Sequence, residues 1–152
     1  MPQVLTKYFG PLEYQEQDVV RFPSGLPAFE EESQFLVIEP PDRAPLAFLQ
    51  SMRQPGLCFL ALPVLAVEPH YALEITAEDL EALKLETGRQ PAIGKEVDCL
   101  VVIAIPEGGA PSANLLAPIV INRANRLGTQ AIRVDSTYSH QHPVGKGEDA
   151  CS

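Results

Sequence analysis

Fifteen prolines are spread along the 152-residue chain, and they restrict its fold more than any other feature of the sequence. Proline breaks the interior of a helix because it lacks a backbone N–H, whereas turns and strand edges accept it. Most apolar segments between the prolines are short, rich in β-branched residues and bounded by Gly or Pro, which is typical of β-strands. We therefore expect a mainly β protein without long helices.

The segments predicted as strands recur about every ten residues. They are residues 4–9, 12–14, 18–22, 35–39, 46–51, 57–62, 97–105, 115–121 and 130–134. Residues 97–105 are nearly continuous in Val, Ile, Leu and Cys, and they predict a central strand that is buried on both faces. One helix is predicted at residues 77–85, because Thr76 and Asp79 have the spacing of a capping box. Residues 28–33 are predicted to form a single turn, and residues 122–128 another.

This arrangement predicts a small antiparallel β-barrel-like domain with one or two short helices. A parallel sheet would need a helix between most of its strands, and the sequence does not supply them. We assign residues 1–144 to this single domain. Residues 145–152 are small, polar and acidic, so we expect them to form a disordered tail.

The charge of the chain favours some partners and disfavours others. Twenty acidic residues and eleven basic ones give a net charge of −9. Such a chain gains little from counterion release on nucleic acids and is repelled by anionic membranes, whereas basic proteins are attracted to it. The first residues lack the pattern of a secretory signal, and no apolar run is long enough to span a bilayer. We expect a cytoplasmic protein with neither nucleic acid nor membrane as a direct partner.

The sequence contains no motif of a phosphate-binding loop, a serine hydrolase or a zinc site. His140 and His142 are two residues apart, but no further metal-binding residues accompany them. We therefore predict no catalytic, cofactor-binding or metal-binding residue. Glu30, Glu31 and Glu32 are consecutive, and we expect their carboxylates to face the solvent in an acidic turn. Such a turn could serve as a docking patch for a basic partner.

Several stretches, taken in order, resemble the FliW family of flagellar assembly factors. In the first half these are residues 6–10 (TKYFG), 22–30 (FPSGLPAFE) and 49–51 (LQS). In the second half they are residues 102–106 (VIAIP), 112–122 (SANLLAPIVIN) and 126–130 (RLGTQ), followed by Tyr138 and His142-Pro143. Each stretch is weak alone, but the ordered set is specific and spans nearly the whole chain.

The resemblance implies a cytoplasmic, non-enzymatic β-barrel-like protein with two mutually exclusive partners. One is flagellin, which is held before export. The other is CsrA, a dimeric RNA-binding repressor of flagellin translation. After flagellin is secreted, the freed factor captures CsrA, and flagellin synthesis resumes. No cofactor is implied, and we expect a monomer.

Partner binding is assigned to residues in the acidic turn and in the second half of the chain. These residues are Glu30, Glu31, Glu32, Asn114, Asn122 and Arg126. Their selection rests on the uneven charge of the chain and on the polar residues within the FliW-like motifs. The alternative that Asn114, Asn122 and Gly128 only shape turns stays open.

Other classes of protein also stay open on the residues alone. One is a small β-barrel interaction module, or a chaperone for another secreted helical protein. Another is a small-barrel enzyme, which would need titratable groups converging on a deep pocket. A third is an RNA binder of the OB type, against which the four Lys and the absence of Trp argue.

Overall fold

The computed structural model describes residues 2–23, 25–26, 29–132 and 138–144. The predicted tail at residues 145–152 lies outside the described residues. The strands are β1 (Gln3–Thr6), β2 (Gly10–Glu13), β3 (Val19–Arg21), β4 (Gln34–Ile38), β5 (Ala47–Ser51), β6 (Cys58–Pro63), β7 (Val97–Ala104), β8 (Ser112–Ala113), β9 (Ile119–Asn122), β10 (Gly128–Gln130) and β11 (His142–Pro143). The α-helices are α1 (Val64–Val67) and α2 (Ala77–Ala82), and short 3-10 turns occur at Glu16–Asp18 and Pro41–Arg43. None of the described helices has the length and hydropathy needed to cross a bilayer.

One antiparallel sheet of nine strands dominates the described part of the chain. Its main path runs β10-β9-β7-β6-β5-β4-β3, and β8 adds to β7 and pairs in turn with β11. Strands β1 and β2 form a separate hairpin. The mainly β, antiparallel fold with two short helices is therefore confirmed.

The two edge strands of the main path approach each other. Arg21, at the end of β3, forms a parallel bridge with Leu127, and its N–H donates to the carbonyl oxygen of Arg126 at 3.0 Å. Beside this bridge, Gly128 packs against the side chains of Val20 and Phe22. The sheet is thus rolled until its edges meet at one bridge instead of a full ladder, which makes it barrel-like and protects its edges.

The rolled sheet buries apolar side chains on both of its faces. Inside the roll lie Val20, Phe22, Leu26, Phe35, Ala47, Leu49, Ala61, Leu100, Ile119 and Ile121. The second cluster lies on the other face of β7 and includes Val64 of α1 and Leu80 of α2. Along β7, Leu100 belongs to the inner cluster, whereas Cys99 and Val101 belong to the outer one. This alternation confirms the prediction of a central strand buried on both faces.

Helix α2 begins as predicted but ends earlier. The Thr76 hydroxyl accepts a hydrogen bond from the Asp79 N–H at 3.1 Å, so Thr76 is the N-cap. At the other end, Lys84 has a φ of 62°, and the Leu85 N–H donates to the Leu80 carbonyl at 2.8 Å. These features form a Schellman motif in which Lys84 occupies the place usually taken by Gly. The predicted helix over residues 77–85 therefore ends at Ala82.

Two predicted strands are partly wrong. The chain at residues 115–118 is a turn, and the strand of this region begins only at Ile119. The strand predicted at residues 4–9 ends at Thr6, whose hydroxyl accepts from the Phe9 N–H and donates to the Gly10 carbonyl, both at 2.8 Å. A short hydroxyl side chain thus closes a turn where the sequence suggested continued alternation. The strand predicted at residues 130–134 is observed as β10, and residues 133–134 lie outside the described part.

Candidate partner-binding site

An apolar groove opens at one mouth of the rolled sheet. It has a volume of about 280 Å³, and we refer to it as the mouth groove. Its apolar lining consists of Leu26, Phe29, Phe59, Val102, Ala104 and Ile119. Its polar lining consists of Ser112, Asn114, Gln130, His140 and Gln141. Because Leu26 and Ile119 also belong to the inner core, the floor of the groove continues the core outward.

Aromatic rings connect the buried core to the rim of the mouth groove. Phe22 packs edge-on against Phe35 with ring centroids 5.6 Å apart, and Phe35 lies 6.0 Å from Phe59. Phe59 contacts Phe29 edge-on at 5.6 Å. Phe22 and Phe35 are fully buried, whereas Phe29 is 37% exposed. Phe29 therefore presents a large apolar surface at the rim while its ring is held by the core.

The acidic turn lies on the other side of Phe29. Glu30 and Glu31 are exposed, and the side chain of Glu31 is 87% exposed. Glu32 is only 2% exposed, so the expectation that all three carboxylates face the solvent is wrong for this residue. Phe29 lines the mouth groove and also a small pocket formed with the three glutamates and Gln54. The exposed carboxylates and the groove are thus adjacent.

Glu32 points inward because the hairpin between β5 and β6 supplies three hydrogen-bond donors. The Ser51 hydroxyl donates to Oε1 at 2.7 Å. Arg53 Nη2 and Gln54 Nε2 donate to Oε2 at 2.9 Å and 2.5 Å. The hydrogen bond from Ser51 is the largest cause that lowers the pKa of Glu32 below its usual value, and those from Gln54 and Arg53 lower it further against the opposing effect of burial. Glu32 is therefore held as a carboxylate.

Asn114 lies in the mouth groove and also shapes the backbone beside it. Its Oδ1 accepts hydrogen bonds from the N–H groups of Leu116 and Ala117 at 3.1 Å and 3.2 Å, which is an Asx turn. This turn ends the β8 segment before β9 begins. Asn114 thus forms a turn and also lines the mouth groove, and its assignment to partner binding stays a prediction.

Asn122 is buried away from the mouth groove, at the end of β9. Its Nδ2 donates to the Leu83 carbonyl at 2.8 Å, and its Oδ1 accepts from the Ala124 N–H at 2.9 Å. It therefore joins the β9–β10 turn to the end of α2, and only 5% of it is exposed. Its assignment to partner binding stays a prediction.

Arg126 lies at the opposite mouth of the sheet. It lines a second cavity of about 240 Å³, together with Val37, Asp98 and Leu100. Its φ is 60°, and its Nη1 is 4.0 Å from Asp98 Oδ2. The six predicted residues are therefore divided. Asn114 lines the mouth groove, the acidic turn adjoins it through Phe29, and Asn122 and Arg126 do not line it.

The sequence did not identify the aromatic part of the site. Phe29 and Phe59 both line the mouth groove, yet they are thirty positions apart and meet only through folding. The FPSGLPAFE stretch was the available signal, because it places Phe29 directly before the acidic turn.

The described residues show little that could carry out chemistry. No three His, Cys, Asp or Glu side chains among them are grouped closely enough to hold a metal ion. His140 is the one titratable side chain among the described residues that line the mouth groove. Burial raises the pKa of the Cys58 thiol, which disfavours its nucleophilic thiolate form. The arrangement suits the binding of an apolar partner segment better than acid–base catalysis.

Comparisons with known proteins agree with the motifs and the fold. The family model described as FliW protein matches residues 3–144. The flagellar assembly factor FliW of Syntrophomonas wolfei is 34% identical over 143 residues, which cover 93% of this chain and 88% of that protein. The flagellar assembly factor FliW of Geobacillus kaustophilus is 37% identical over 141 residues, with 92% and 93% covered.

A solved structure, the crystal structure of the flagellar assembly factor FliW, has the same fold. It matches with a TM-score of 0.80 and 34% identity and covers 93% of this chain and 96% of that one. The ordered motifs, the rolled antiparallel sheet and the match over nearly the whole length lead to one conclusion. The chain belongs to the FliW family of flagellar assembly factors.

Proposed function

We propose that this flagellar assembly factor binds flagellin in the cytoplasm. When it is free of flagellin, it binds and antagonises the translational repressor CsrA and so relieves the repression of flagellin synthesis. It acts by binding one of these two partners, without a catalytic step, and it acts as a monomer.

The mouth groove beside exposed carboxylates is the observation that carries this proposal. Flagellin termini are expected to be amphipathic and unfolded before assembly, so they need an apolar surface on which to order. Phe29 and Phe59 supply such a surface with rings that the core already holds. A preformed surface reduces the entropy that binding must overcome.

The negative charge of the protein supports the proposal that CsrA is its second partner. CsrA binds RNA, so part of its surface should be basic, and a protein with a net charge of −9 attracts it. Glu30 and Glu31 place exposed charge beside the mouth groove. Because the two partners are proposed to exclude each other, the partner present in larger excess over its dissociation constant occupies the protein.

A competition experiment with a matched pair of variants tests the proposal. The full-length protein should bind purified flagellin and purified CsrA separately, and each should displace the other. Ala104 is exposed and lines the mouth groove, so Ala104→Trp should fill it and weaken flagellin binding at least tenfold. Ala82→Trp, on the exposed side of α2, adds the same side chain elsewhere and should leave binding unchanged.

The outcomes separate the proposed functions. Binding to neither protein would leave the proposal without support. Binding to CsrA alone would remove the flagellin half. Binding to flagellin with equal loss in both tryptophan variants would remove the mouth groove as its site.

A further inference from the structure

We propose that Glu32 is a positioning residue for the mouth groove. Its buried carboxylate fastens the acidic turn to the β5–β6 hairpin and thereby holds Phe29 in the wall of the groove. This inference rests on the proposed function, in which the groove receives a partner segment, and it assigns to Glu32 a role distinct from that of the exposed glutamates beside it.

The hydrogen bonds around Glu32 specify one arrangement of the two segments. Its carboxylate only accepts, and the described groups around it, from Ser51, Arg53 and Gln54, only donate to it. The Ser51 hydroxyl also accepts from the N–H groups of Arg53 at 3.1 Å and Gln54 at 3.0 Å. The hairpin loop is therefore shaped around the same hydroxyl that donates to Glu32. A displaced turn would lose several of these hydrogen bonds together.

The backbone transmits the position of Glu32 directly to Phe29. The Glu32 N–H donates to the Phe29 carbonyl at 2.9 Å, and the Phe29 N–H donates to the Leu26 carbonyl at 2.7 Å. The turn is also confined from behind, because a Cβ at Gly25 would lie 2.4 Å from the Glu30 carbonyl oxygen. The turn is thus held between the Gly25 backbone on one side and the Glu32 hydrogen bonds on the other. The backbone bridge between Leu26 and Phe29 holds the other end of the turn, so loss of the Glu32 hydrogen bonds would loosen the packing of the Phe29 ring against Phe59 without unfolding the turn.

A buried carboxylate can stabilise a fold only where its hydrogen-bond donors are correctly placed, which is why its position matters here. Removing a charged group from water costs free energy. At Glu32 the hydrogen bonds outweigh this cost, since its pKa lies below the usual value, and this gain depends on the arrangement of Ser51, Arg53 and Gln54. Charged groups that are retained in such places can specify one geometry over others. At Glu32 the specified geometry is that of the segment that carries Phe29 and the two exposed glutamates.

The absence of Trp from the sequence makes a direct optical test available. Phe29→Trp places one indole at the rim of the mouth groove. In that background, Glu32→Gln keeps one accepting oxygen and replaces the other by a donating NH2, so either Ser51 or the pair Arg53 and Gln54 loses its acceptor. Glu31→Gln makes the same chemical change one position away, at a side chain that is 87% exposed and also contacts Arg53. It is the matched control.

We expect Glu32→Gln to shift the tryptophan emission to longer wavelength and to increase its quenching by acrylamide, while Glu31→Gln changes neither. Both are measured under conditions in which circular dichroism shows the variants fully folded, so a loss of global stability alone would not move them. In the native Phe29 background, Glu32→Gln should also speed hydrogen exchange of the Glu32 amide relative to the core amide of Leu49. Affinity for purified flagellin should fall about tenfold, which corresponds to about 1.4 kcal/mol.

The readouts without partner distinguish this inference from the proposed function. Unchanged emission and unchanged exchange in Glu32→Gln would overturn the positioning role even if flagellin binds. Altered emission and exchange in a protein that never binds flagellin would support the positioning role and overturn the flagellin-binding part of the proposed function. If Glu31→Gln changed the tryptophan emission and its quenching as much as Glu32→Gln does, the assignment of the positioning role to the buried carboxylate would be overturned.

Discussion

Gly128→Ala tests whether the edges of the rolled sheet are packed as the structure describes. A Cβ at Gly128 would lie 2.8 Å from Phe22 Cε2 and 2.9 Å from Val20 Cγ1. Both neighbours are fully buried, so neither can move toward solvent to make room. The φ of Gly128 lies outside the left-handed range, which means that space and not backbone strain decides the outcome.

The size of the effect follows from overpacking. Adding atoms to a well-packed core costs about 1–3 kcal/mol. Replacing Gly by Ala also restricts the unfolded chain, which returns about 0.4–1 kcal/mol. We therefore expect Gly128→Ala to lower the free energy of unfolding by about 1–2 kcal/mol. For a chain of this size, each kcal/mol corresponds to a decrease in Tm of roughly 2–4 °C.

Urea denaturation followed by circular dichroism measures this loss. Gly88→Ala is the matched control, since a Cβ there meets no atom within 4 Å and its φ is also outside the left-handed range. It should leave the free energy of unfolding unchanged or raise it by about 0.4–1 kcal/mol. Equal stability of Gly128→Ala and the unaltered protein would refute the idea that the two sheet edges close tightly at this position.

Two further predictions concern polar side chains that the structure buries. Asn122→Ala should lower the free energy of unfolding by about 1–2 kcal/mol, because Ala124 loses its acceptor, although Asn125 Nδ2 still donates to the Leu83 carbonyl at 3.2 Å. Urea denaturation checks this value, and an unchanged stability would contradict it. For Glu32, the folded pKa lies below its unfolded value, so the carboxylate stabilises the fold fully above the unfolded pKa and loses this effect as pH falls through the folded pKa. Acid titration should show a shallower loss of stability in Glu32→Gln than in the unaltered protein, and parallel curves would contradict the burial of this carboxylate beside Arg53.

Local sequence patterns predicted those elements of the fold whose position depends on residues close together in the chain. The continuous apolar run of β7 indicates burial on both faces, and Thr76 marks the start of α2 by its own hydrogen bond. The strand predicted from residue 115 begins too early because Ala113, Leu115 and Ala117 are buried in alternation, as they would be in a strand, although the sequence left a turn at Asn114 open. Only the Asx turn of Asn114, whose partners are two and three residues away, breaks the pattern.

The site depended on contacts that no local pattern contains. In the sequence, Glu32 differs in nothing from Glu30 and Glu31, and its donors Ser51 and Gln54 are 19 and 22 positions away. The β5–β6 hairpin brings three donors, from Ser51, Arg53 and Gln54, to the carboxylate of Glu32. Burial of a charged residue follows from such a convergence and not from its neighbours in the chain.

The proposed exclusion between flagellin and CsrA has a geometric consequence. An interface of ordinary size covers about 800 Å² of each partner. The protein exposes 8555 Å², so two partners could bind together without contact unless their surfaces overlap or are coupled through the fold. The bridge at Arg21 and the close packing at Gly128 join the sheet edges and so restrain the sheet from changing shape. This favours overlapping partner surfaces over coupling of two separate surfaces through the fold. We therefore expect Ala104→Trp to weaken the binding of both flagellin and CsrA. If only flagellin binding were weakened, the exclusion would be transmitted through the sheet, and a shared groove would be refuted.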